Sequence, residues 1–324
     1  MARIVITRPL LSEEVDVLRE LHEVLQFDIG PGNVTHNGGD EDRVIAAMQG
    51  ADAAITLLDN PITARVLTAC PGLKVLAQCA VGYDNIDLDA ARELQIPVTN
   101  TPGVLTDATA DFTMTLLLAA ARRLREADRY LRDGRFKRWE MLELMGTGLS
   151  GKTLGIVGLG RIGRAVARRA LGFGMQIIYH DRGRSNPTIE RQAGAHRVDF
   201  HTLLAESDFI TLHCPLNEQS RHLIDAAALA RMKPGAILIN TSRGPVVDEA
   251  ALVDALRGGR LAAAGLDVFE REPEVHPGLF ELDNVVLAPH IGSATRETRR
   301  AMARMCVESV QAALAGVEIP YRVV

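Results

Sequence analysis

The chain has 324 residues, a formal net charge of −5 and 47% hydrophobic residues, values that are ordinary for a folded globular protein. Its length allows two domains, because single hydrophobic cores rarely grow beyond about 250–300 residues. Basic and acidic residues are mixed throughout, so we expect no nucleic-acid partner and no membrane partner. The N-terminus lacks the apolar core of a signal peptide and no apolar run approaches a membrane span of about 18 residues, which predicts a cytoplasmic protein.

Four cysteines, Cys70, Cys79, Cys214 and Cys306, are scattered along the chain without the paired spacing of a metal site. Because no secretion signal precedes them, we interpret them as reduced thiols in the protein core. We therefore expect neither a bound metal nor a disulfide framework.

The first hundred residues predict alternating strands and helices. Strands are predicted at 4–6, 53–55, 73–77 and 97–99, and helices at 40–48, 63–68 and 88–94. A further helix begins at Ser12, with Val15, Leu18 and Leu21 on one apolar side. This alternation is typical of a parallel sheet with covered faces. Since the segment lacks a phosphate-binding glycine turn, it indicates a separate domain with its own role.

Thr101-Pro102-Gly103 interrupts the pattern and marks the first predicted domain boundary. Thr106 and Asp107 are candidate N-caps of a long apolar helix over 108–123, and a polar helix over 125–132 follows. Further strands are predicted at 154–157, 176–179, 209–212, 236–240, 263–266 and 285–288, and helices at 200–206, 225–232, 249–258 and 293–316. This pattern predicts a second doubly wound sheet of about six strands. Because the last helix follows this sheet, we predict a discontinuous first domain (1–100 and 290–324) around a dinucleotide-binding domain (101–289).

A glycine-rich turn is the strongest local signal. Gly158, Gly160 and Gly163 fit G-x-G-x-x-G directly after the strand 154–157, and a helical pattern follows. The first glycine permits a tight turn, the second lets the backbone approach a pyrophosphate, and the third lets the helix pack on the strand. Asp181 ends the next strand, 18 residues after Gly163, where a carboxylate can bind the ribose hydroxyls of NAD. The pattern predicts a dinucleotide site; the alternative is a βαβ turn with a purely structural role.

The choice between NAD and NADP depends on three charged residues. Asp181 would repel the 2′-phosphate of NADP, whereas Arg182 and Arg184 follow it and could pair with that phosphate. We favour NAD and leave NADP open, since both arginines could equally belong to a solvated loop.

Arg243, Glu272 and His290 each follow a predicted strand of the second sheet. Taken singly, each has an ordinary interpretation: an ion-paired arginine, a charged loop residue and a structural histidine. Together, opposite a nicotinamide site, they supply what reduction of a 2-keto acid requires. A guanidinium binds the carboxylate, an imidazolium donates a proton to the carbonyl oxygen, and a carboxylate favours and orients the charged imidazole.

The chain resembles the D-isomer-specific 2-hydroxyacid dehydrogenase family over essentially its whole length. The matching stretches are AVGYDNID (80–87), NTPGVLTDATAD (100–111), GKTLGIVGLGRIG (151–163), INTSRGPVVDEAAL (239–252), GLDVFEREP (265–273) and APHIGSAT (288–295). The resemblance implies an α/β fold of two doubly wound parallel-sheet domains. In this fold a Rossmann cofactor domain is inserted into a flavodoxin-like substrate domain.

The resemblance also implies roles for individual residues. Arg243 would bind the substrate, His290 would be the acid/base and Glu272 its partner, with the backbone amides of Val81 and Gly82 completing the carboxylate site. Cys214 would be a pocket wall and Asp267 would lie near the nicotinamide amide. The cofactor positions are Thr109, Gly158, Gly160, Arg161, Ile162, Gly163, Asp181, Arg182, Cys214, Pro215, Thr241, Ser242, Asp267, His290 and Gly292.

Within the family the chain is similar to the glyoxylate/hydroxypyruvate reductase branch, notably over 139–148. Glu143 departs from this branch, which often has an apolar or aromatic residue there, in a loop thought to reach the partner subunit; Glu143 could instead simply face solvent. The expected activity is reduction of glyoxylate or hydroxypyruvate to the D-2-hydroxy acid by a homodimer. The alternatives are a phosphoglycerate or other D-2-hydroxyacid dehydrogenase and, in another class, a non-catalytic dinucleotide sensor.

Overall fold

The computed structural model describes residues 1–29, 39–183 and 186–324, and the chain divides into two compact units. The first unit consists of Met1–Leu105 and Ala294–Val324, and the second of Thr106–Ser293. The predicted boundaries are 100/101 and 289/290, whereas the units change at Leu105 and Ser293. The boundary after Leu105 coincides with the start of a long helix at Thr106. The contacts of this helix lie in the second unit and assign the residues after Leu105 to it.

The first unit begins with strands and helices in alternation. They are β1 (Arg3–Ile6), α1 (Ser12–Arg19), β2 (Glu23–Gln26), α2 (Gly39–Met48), β3 (Ala53–Thr56), α3 (Ala64–Thr68), β4 (Val75–Gln78), α4 (Leu88–Glu93) and β5 (Val98–Thr99). The predicted elements correspond to these within one or two residues. β2 was not predicted, because only two of its four residues are apolar and both are only half-buried. Leu21 lies beyond the end of α1 and is exposed, so its predicted place on the apolar side of that helix is wrong.

The second unit continues the alternation. It contains α5 (Thr106–Ala121), α6 (Leu124–Arg132), β6 (Thr153–Val157), α7 (Arg161–Gly172), β7 (Gln176–His180), α8 (Pro187–Ala193), β8 (Ala195–Arg197), α9 (Phe200–Glu206), β9 (Phe209–Leu212), α10 (Ala226–Arg231), β10 (Ala236–Asn240), α11 (Glu249–Arg257), β11 (Leu261–Leu266), α12 (Pro277–Phe280) and β12 (Val285–Leu287). The chain then returns to the first unit with α13 (Arg296–Ala315). α5 already includes Thr106 and Asp107, so these residues are not its N-caps as predicted.

The described strands of the first unit form one parallel sheet in the order β2-β1-β3-β4-β5. This is the strand order of flavodoxin-like folds. α13 packs against β3 and β4 and contacts α1. The core of this unit includes Val5, Met48, Leu67 and Leu76, all fully buried. The last helix of the chain therefore completes a sheet that begins with the first residues.

In the second unit, the described strands form a parallel sheet in the order β12-β11-β10-β9-β6-β7-β8. This is the strand order of a Rossmann fold: the chain runs outward from β6 through β7 to β8, and then returns to the other side of β6 with β9. The strand order therefore reverses between β6 and β9. The sheet has seven strands instead of the six predicted, because the edge strand β8 (Ala-His-Arg) contains only one apolar residue and was not recognised. Both units are doubly wound α/β sheets, and the predicted fold class is confirmed.

Alternate residues along the strands of the second sheet enter two different cores. Ile156, Phe209 and Ile239 pack in a core with α5 and α7, whereas Val157 and Leu238 pack in a core with α9, α10 and α11. Because successive side chains of a strand point to opposite faces, these cores cover the two faces of the sheet. With both faces covered by helices, the strand ends are the accessible places for a ligand.

Candidate active site

The predicted site residues of the second unit follow the carboxyl ends of its parallel strands. Such ends lie at one edge of the sheet, and ligands of α/β proteins bind there, at the point where the strand order reverses. β6 and β7 lead to the glycine turn and Asp181, and β9 leads to Cys214. On the other side of the reversal, β10 leads to Arg243, β11 to Asp267 and Glu272, and β12 to His290. One edge of the sheet therefore carries both groups of residues.

The turn between β6 and α7 requires glycine for steric reasons. Gly158 has φ +94°, and a Cβ atom added to it would lie 2.9 Å from the backbone nitrogen of Cys214. A Cβ atom on Gly163 would lie 2.2 Å from the carbonyl oxygen of Gly158, whereas one on Gly160 would meet open space. The turn is thus packed against the loop after β9 and against its own helix, and it stays open at Gly160.

The N-terminus of α7 faces this open position. Gly160 is the N-cap residue and has no side chain with which to cap the helix. The first backbone N–H groups of a helix lack intrahelical acceptors, and the helix dipole adds partial positive charge there. The pyrophosphate of a dinucleotide fits such an end, since its oxygens accept hydrogen bonds from these N–H groups. Arg161 and Ile162 occupy the first turn of the helix, beside that position.

Asp181 is anchored beside the glycine turn by two backbone amides. Its Oδ2 accepts a hydrogen bond from the N–H of Leu159 at 3.0 Å, and its Oδ1 accepts one from the N–H of Gly183 at 2.9 Å. Arg182 donates to the side-chain oxygen of Gln219. Arg184 lies outside the described residues. The carboxylate that would meet the adenosine ribose is therefore fixed in place, and Arg182 is engaged with Gln219.

The loop after β9 places a histidine and a cysteine against the turn. Burial raises the pKa of the Cys214 thiol to about 11 and lowers the pKa of His213 to about 3. Cys214 is therefore a neutral thiol at pH 7, which suits a pocket wall and not a nucleophile. His213 Nε2 lies 3.0 Å from Thr211 Oγ1. The prediction omits His213, although its position directly after a strand was the available signal.

A network around Asn240 holds the loop after β10. Asn240 Oδ1 accepts hydrogen bonds from the N–H and the Oγ of Ser242 at 3.0 and 2.9 Å, and its Nδ2 donates to the carbonyl oxygen of Arg243 at 2.9 Å. The Arg243 guanidinium donates from Nη1 to the carbonyl oxygen of Ser242 at 2.8 Å. Asn240 is 1% exposed. It fixes the backbone that carries Arg243, and only the folded loop shows this role.

Two predicted cofactor residues are joined through α5. Thr113 Oγ1 donates to the carbonyl oxygen of Thr109 at 2.8 Å and lies 2.9 Å from Thr241 Oγ1. All three threonines are buried. The bonds connect the first turns of α5 to the end of β10, so they fix Thr109 relative to Thr241 at the strand edge.

Asp267 is a buried carboxylate that holds the loop after β12. It is 1% exposed, and it accepts hydrogen bonds from the N–H groups of Ile291 and Gly292, both at 2.7 Å. Burial raises the pKa of this carboxyl group. A Cβ atom on Gly292 would lie 2.9 Å from Asp267 Oδ2, so the close approach requires glycine. In this structure Asp267 therefore positions the residues directly after His290.

His290 and Glu272 form the central contact of the site. Nδ1–H of His290 donates to Glu272 Oε2 at 2.8 Å, and Glu272 Oε1 accepts the N–H of Phe269 at 2.9 Å. His290 has φ +52°, a left-handed conformation that is uncommon outside glycine and recurs at functional sites. With Nδ1 bound to the carboxylate, Nε2 is the nitrogen that can exchange a proton with a ligand. Both side chains are about one-third exposed, so a ligand can reach them.

Val81 and Gly82 lie in the first unit, in the loop after β4. The carbonyl oxygen of Val81 accepts a hydrogen bond from Asn100 Nδ2 at 2.9 Å, and the carbonyl oxygen of Ala80 accepts the N–H of Thr101 at 2.9 Å. These bonds tie the loop to the chain after β5. The predicted binding of a carboxylate by the backbone amides of Val81 and Gly82 stays a prediction.

Residues 1–29, 39–183 and 186–324 contain no group of three or more His, Cys, Asp or Glu side chains that could hold a metal ion. Nor does this part of the chain include a helix whose length and apolar character would carry it across a bilayer.

Known proteins are similar in sequence to most of this chain. Residues 114–292 match the family described as D-isomer specific 2-hydroxyacid dehydrogenase, NAD binding domain. A glyoxylate reductase of Thermococcus litoralis is 56% identical over 273 residues, which cover 83% of this chain and 82% of that protein. The chain belongs to the D-isomer-specific 2-hydroxyacid dehydrogenase family. It is an NAD(P)-dependent oxidoreductase, and the resemblance stated from its sequence motifs is confirmed.

Solved structures of the family extend over nearly the whole chain. A protein of Thermus thermophilus matches with a TM-score of 0.90 and 45% identity, covering 99% of this chain and 100% of that one. An NADPH-dependent glyoxylate/hydroxypyruvate reductase of Sinorhizobium meliloti, solved with NADP and malonate, matches with a TM-score of 0.86 and 34% identity, covering 99% and 96%. A nicotinamide dinucleotide is therefore the cofactor class of this family.

Proposed function

We propose that this protein reduces a small 2-keto acid, with glyoxylate and hydroxypyruvate as the leading substrates, to the D-2-hydroxy acid. The observation that carries the proposal is the 2.8 Å hydrogen bond between His290 Nδ1 and Glu272. Glu272 follows β11, which lies between β12, the strand before His290, and β10, the strand before Arg243. The relatives named glyoxylate reductase support this choice of substrate.

Three side chains carry the proposed chemistry. Arg243 binds the carboxylate and carbonyl oxygen of the keto acid, because the planar guanidinium donates two parallel hydrogen bonds. Bound NAD(P)H supplies the hydride. As the carbonyl oxygen gains negative charge, the His290 imidazolium transfers the Nε2 proton to it. Glu272 accepts the Nδ1–H bond, which fixes the orientation of the ring.

The proposed cofactor site combines the glycine turn with the loops after the other strands. Its residues are Thr109, Gly158, Gly160, Arg161, Ile162, Gly163, Asp181, Cys214, Pro215, Thr241, Ser242, Asp267, His290 and Gly292, all in the second unit. Within this set, Gly160 and the first turn of α7 would hold the pyrophosphate, and Asp181 the adenosine ribose.

We favour NAD over NADP for this chain. Asp181 is anchored by two backbone amides, so its charge cannot move away from a 2′-phosphate. Arg182 is bound to Gln219 and would have to leave it in order to pair with that phosphate.

Replacement of Asp181 by serine is expected to lower the preference for NADH over NADPH by about 10- to 100-fold, because like charges brought together in a binding site cost several kcal/mol. The ratio of the two kcat/KM values measures this preference. Asp181→Asn is the matched control for the backbone bonds, since it retains an oxygen that accepts N–H groups but loses the charge. If both variants keep the native ratio, Asp181 does not select the cofactor.

We also infer that the protein is a homodimer. Seven large apolar side chains are 55–75% exposed between residues 124 and 145: Leu124, Leu131, Phe136, Trp139, Met141, Leu142 and Met145. A monomer rarely leaves such a group in water, and a second copy would cover it. Glu143 is also exposed in this segment. A light-scattering mass equal to the 35.1 kDa of one chain would contradict the dimer.

The cytoplasmic location stays a prediction of the sequence.

Initial rates with glyoxylate, hydroxypyruvate, pyruvate and phosphohydroxypyruvate, each with NADH and NADPH, test the proposed function. We expect the first two acids to turn over fastest. Faster turnover of phosphohydroxypyruvate or pyruvate would favour a phosphoglycerate or other D-2-hydroxyacid dehydrogenase. Tight cofactor binding without turnover of any acid would favour a dinucleotide sensor.

A further inference from the structure

Glu249, Glu270 and His222 form a hydrogen-bonded cluster in the second unit, which we call the Glu249 clamp. Glu249 Oε1 accepts the backbone N–H of Glu270 at 2.7 Å, and Glu270 Oε2 accepts the backbone N–H of Glu249 at 3.4 Å. Glu270 Oε1 lies 2.8 Å from His222 Nε2. Glu270 is therefore bonded through its backbone amide and through both carboxylate oxygens.

The clamp holds the turn that carries Glu272. Glu270 lies two residues before Glu272, and the N–H of Phe269 donates to Glu272 Oε1 at 2.9 Å. The turn is closed by a bridge between Arg271 and Glu274. A shift of the Phe269–Glu270 backbone would therefore move the carboxylate that meets His290.

The same turn lies directly against the loop that follows Arg243. A Cβ atom on Gly244 would lie 1.8 Å from the carbonyl carbon of Phe269, so the two backbones are in direct contact. The N–H of His222 donates to the carbonyl oxygen of Pro245 at 2.8 Å, which attaches His222 to this loop as well. The clamp therefore joins three loops of the second unit at the carboxyl edge of its sheet.

Helix stability alone does not explain a carboxylate at position 249. Asp248 is the N-cap of α11 and already accepts the N–H of Ala251 at 3.0 Å. Glu249 is 5% exposed, and burial raises the pKa of its carboxyl group. A buried acid is costly unless it accepts hydrogen bonds, and Glu249 accepts one from the N–H of Glu270 at 2.7 Å and another from the backbone of His276.

We propose that Glu249 is a positioning residue, which holds the Phe269–Glu272 turn where Glu272 meets His290. The assignment rests on the proposed function, since it acts through the His290–Glu272 pair. Without the Glu249 oxygen, the Glu270 N–H loses its acceptor and the turn relaxes. Arg243 keeps its place, because Asn240 holds its backbone from the end of β10.

The decisive experiment compares Glu249→Ala and Glu249→Gln with the native protein in glyoxylate reduction. In Glu249→Ala we expect kcat to fall by about 10- to 100-fold with little change in the KM for glyoxylate, since a displacement near 1 Å at a catalytic group can cost about 100-fold. Glu249→Gln should recover most of kcat, because its amide oxygen can accept the Glu270 N–H. Asp248→Ala is the matched control: it removes the cap of α11 and lowers the melting temperature, but should keep kcat.

Several outcomes would overturn the proposal: native kcat in Glu249→Ala, a rise in KM alone, or equal losses in the alanine and glutamine variants. If Glu249→Ala does not fold, His222→Ala decides, because its imidazole bonds to Glu270 from a half-exposed position. A lower kcat at native KM in that variant supports the clamp, and an unchanged kcat contradicts it.

Amide hydrogen exchange over residues 267–274 separates the clamp from the proposed function, because it requires no turnover. Faster exchange in Glu249→Ala (or in His222→Ala if Glu249→Ala does not fold), but not in Asp248→Ala, supports the clamp even if the native protein reduces none of the tested acids. Native exchange rates in the Glu249→Ala or His222→Ala variant would contradict the clamp even if the native protein reduces glyoxylate.

Discussion

His290→Ala is expected to lower kcat for keto acid reduction by about 10²- to 10⁴-fold, the contribution of a positioned general acid. The variant removes the proposed proton donor for the carbonyl oxygen and leaves Glu272 without its partner at 2.8 Å. Cofactor binding should largely survive, because in the proposed site the glycine turn and Asp181 would hold the pyrophosphate and the ribose, and His290 is only one of the proposed cofactor contacts. The loss should therefore appear in kcat and not in the dissociation constant of NADH.

Steady-state rates with glyoxylate and a fluorescence titration with NADH test this prediction together. His201→Ala is a suitable control, since His201 is an exposed histidine on α9 that belongs to neither the proposed catalytic nor the proposed cofactor-binding residues. Because residue 290 has φ +52°, the melting temperature of the variant should be recorded beside its rates. Native turnover in His290→Ala would rule out the proposed role of this histidine.

Arg243→Ala is expected to lower kcat/KM for the keto acid by about 10²- to 10³-fold. Removal of one partner from a desolvated, hydrogen-bonded charge pair costs about 3–4 kcal/mol, and each 1.4 kcal/mol corresponds to about tenfold. The substrate carboxylate would lose the two parallel N–H donors of the guanidinium. The loop itself should keep its conformation, because Asn240 bonds to the backbone carbonyl of residue 243 and not to the side chain.

Arg243→Lys distinguishes charge from geometry. Lysine keeps the positive charge but not the planar pair of donors, so we expect it to recover only part of kcat/KM. Arg231→Ala is the matched control, because Arg231 is exposed at the end of α10. If Arg243→Ala retains native kcat/KM while folding normally, the keto acid carboxylate is bound elsewhere.

Local sequence patterns predicted the parts of the site that are built from neighbouring residues. β6, the three glycines, α7 and Asp181 follow one another along the chain, so their arrangement is visible before folding. Arg243 and His290 could also be identified before folding, because each follows an apolar strand segment in the sequence. The short edge strands β2 and β8 lack an apolar run: β2 has two apolar residues among four and β8 has one among three, so neither was recognised.

The contacts that organise the site depend on residues that are distant in sequence. Glu272 and His290 are 18 residues apart, and Asp267 is 25 residues from Gly292. Glu249 and Glu270 are 21 residues apart, and their mutual hydrogen bonds have no counterpart in any local motif. The predicted place of Asp267 near the nicotinamide amide did not reveal that both its oxygens hold the loop after His290.

From the sequence alone, the α/β class, the family, the dinucleotide turn and the three candidate catalytic side chains could be inferred, because alternating strands, glycine spacing and strand-end residues are properties of short segments. The tertiary structure was needed to show which nitrogen of His290 meets Glu272, how Asn240 supports Arg243, and that Glu249 holds the Glu272 turn. These facts are hydrogen-bond directions between loops of different strands. They exist only after the parallel sheet has brought its carboxyl ends to one edge.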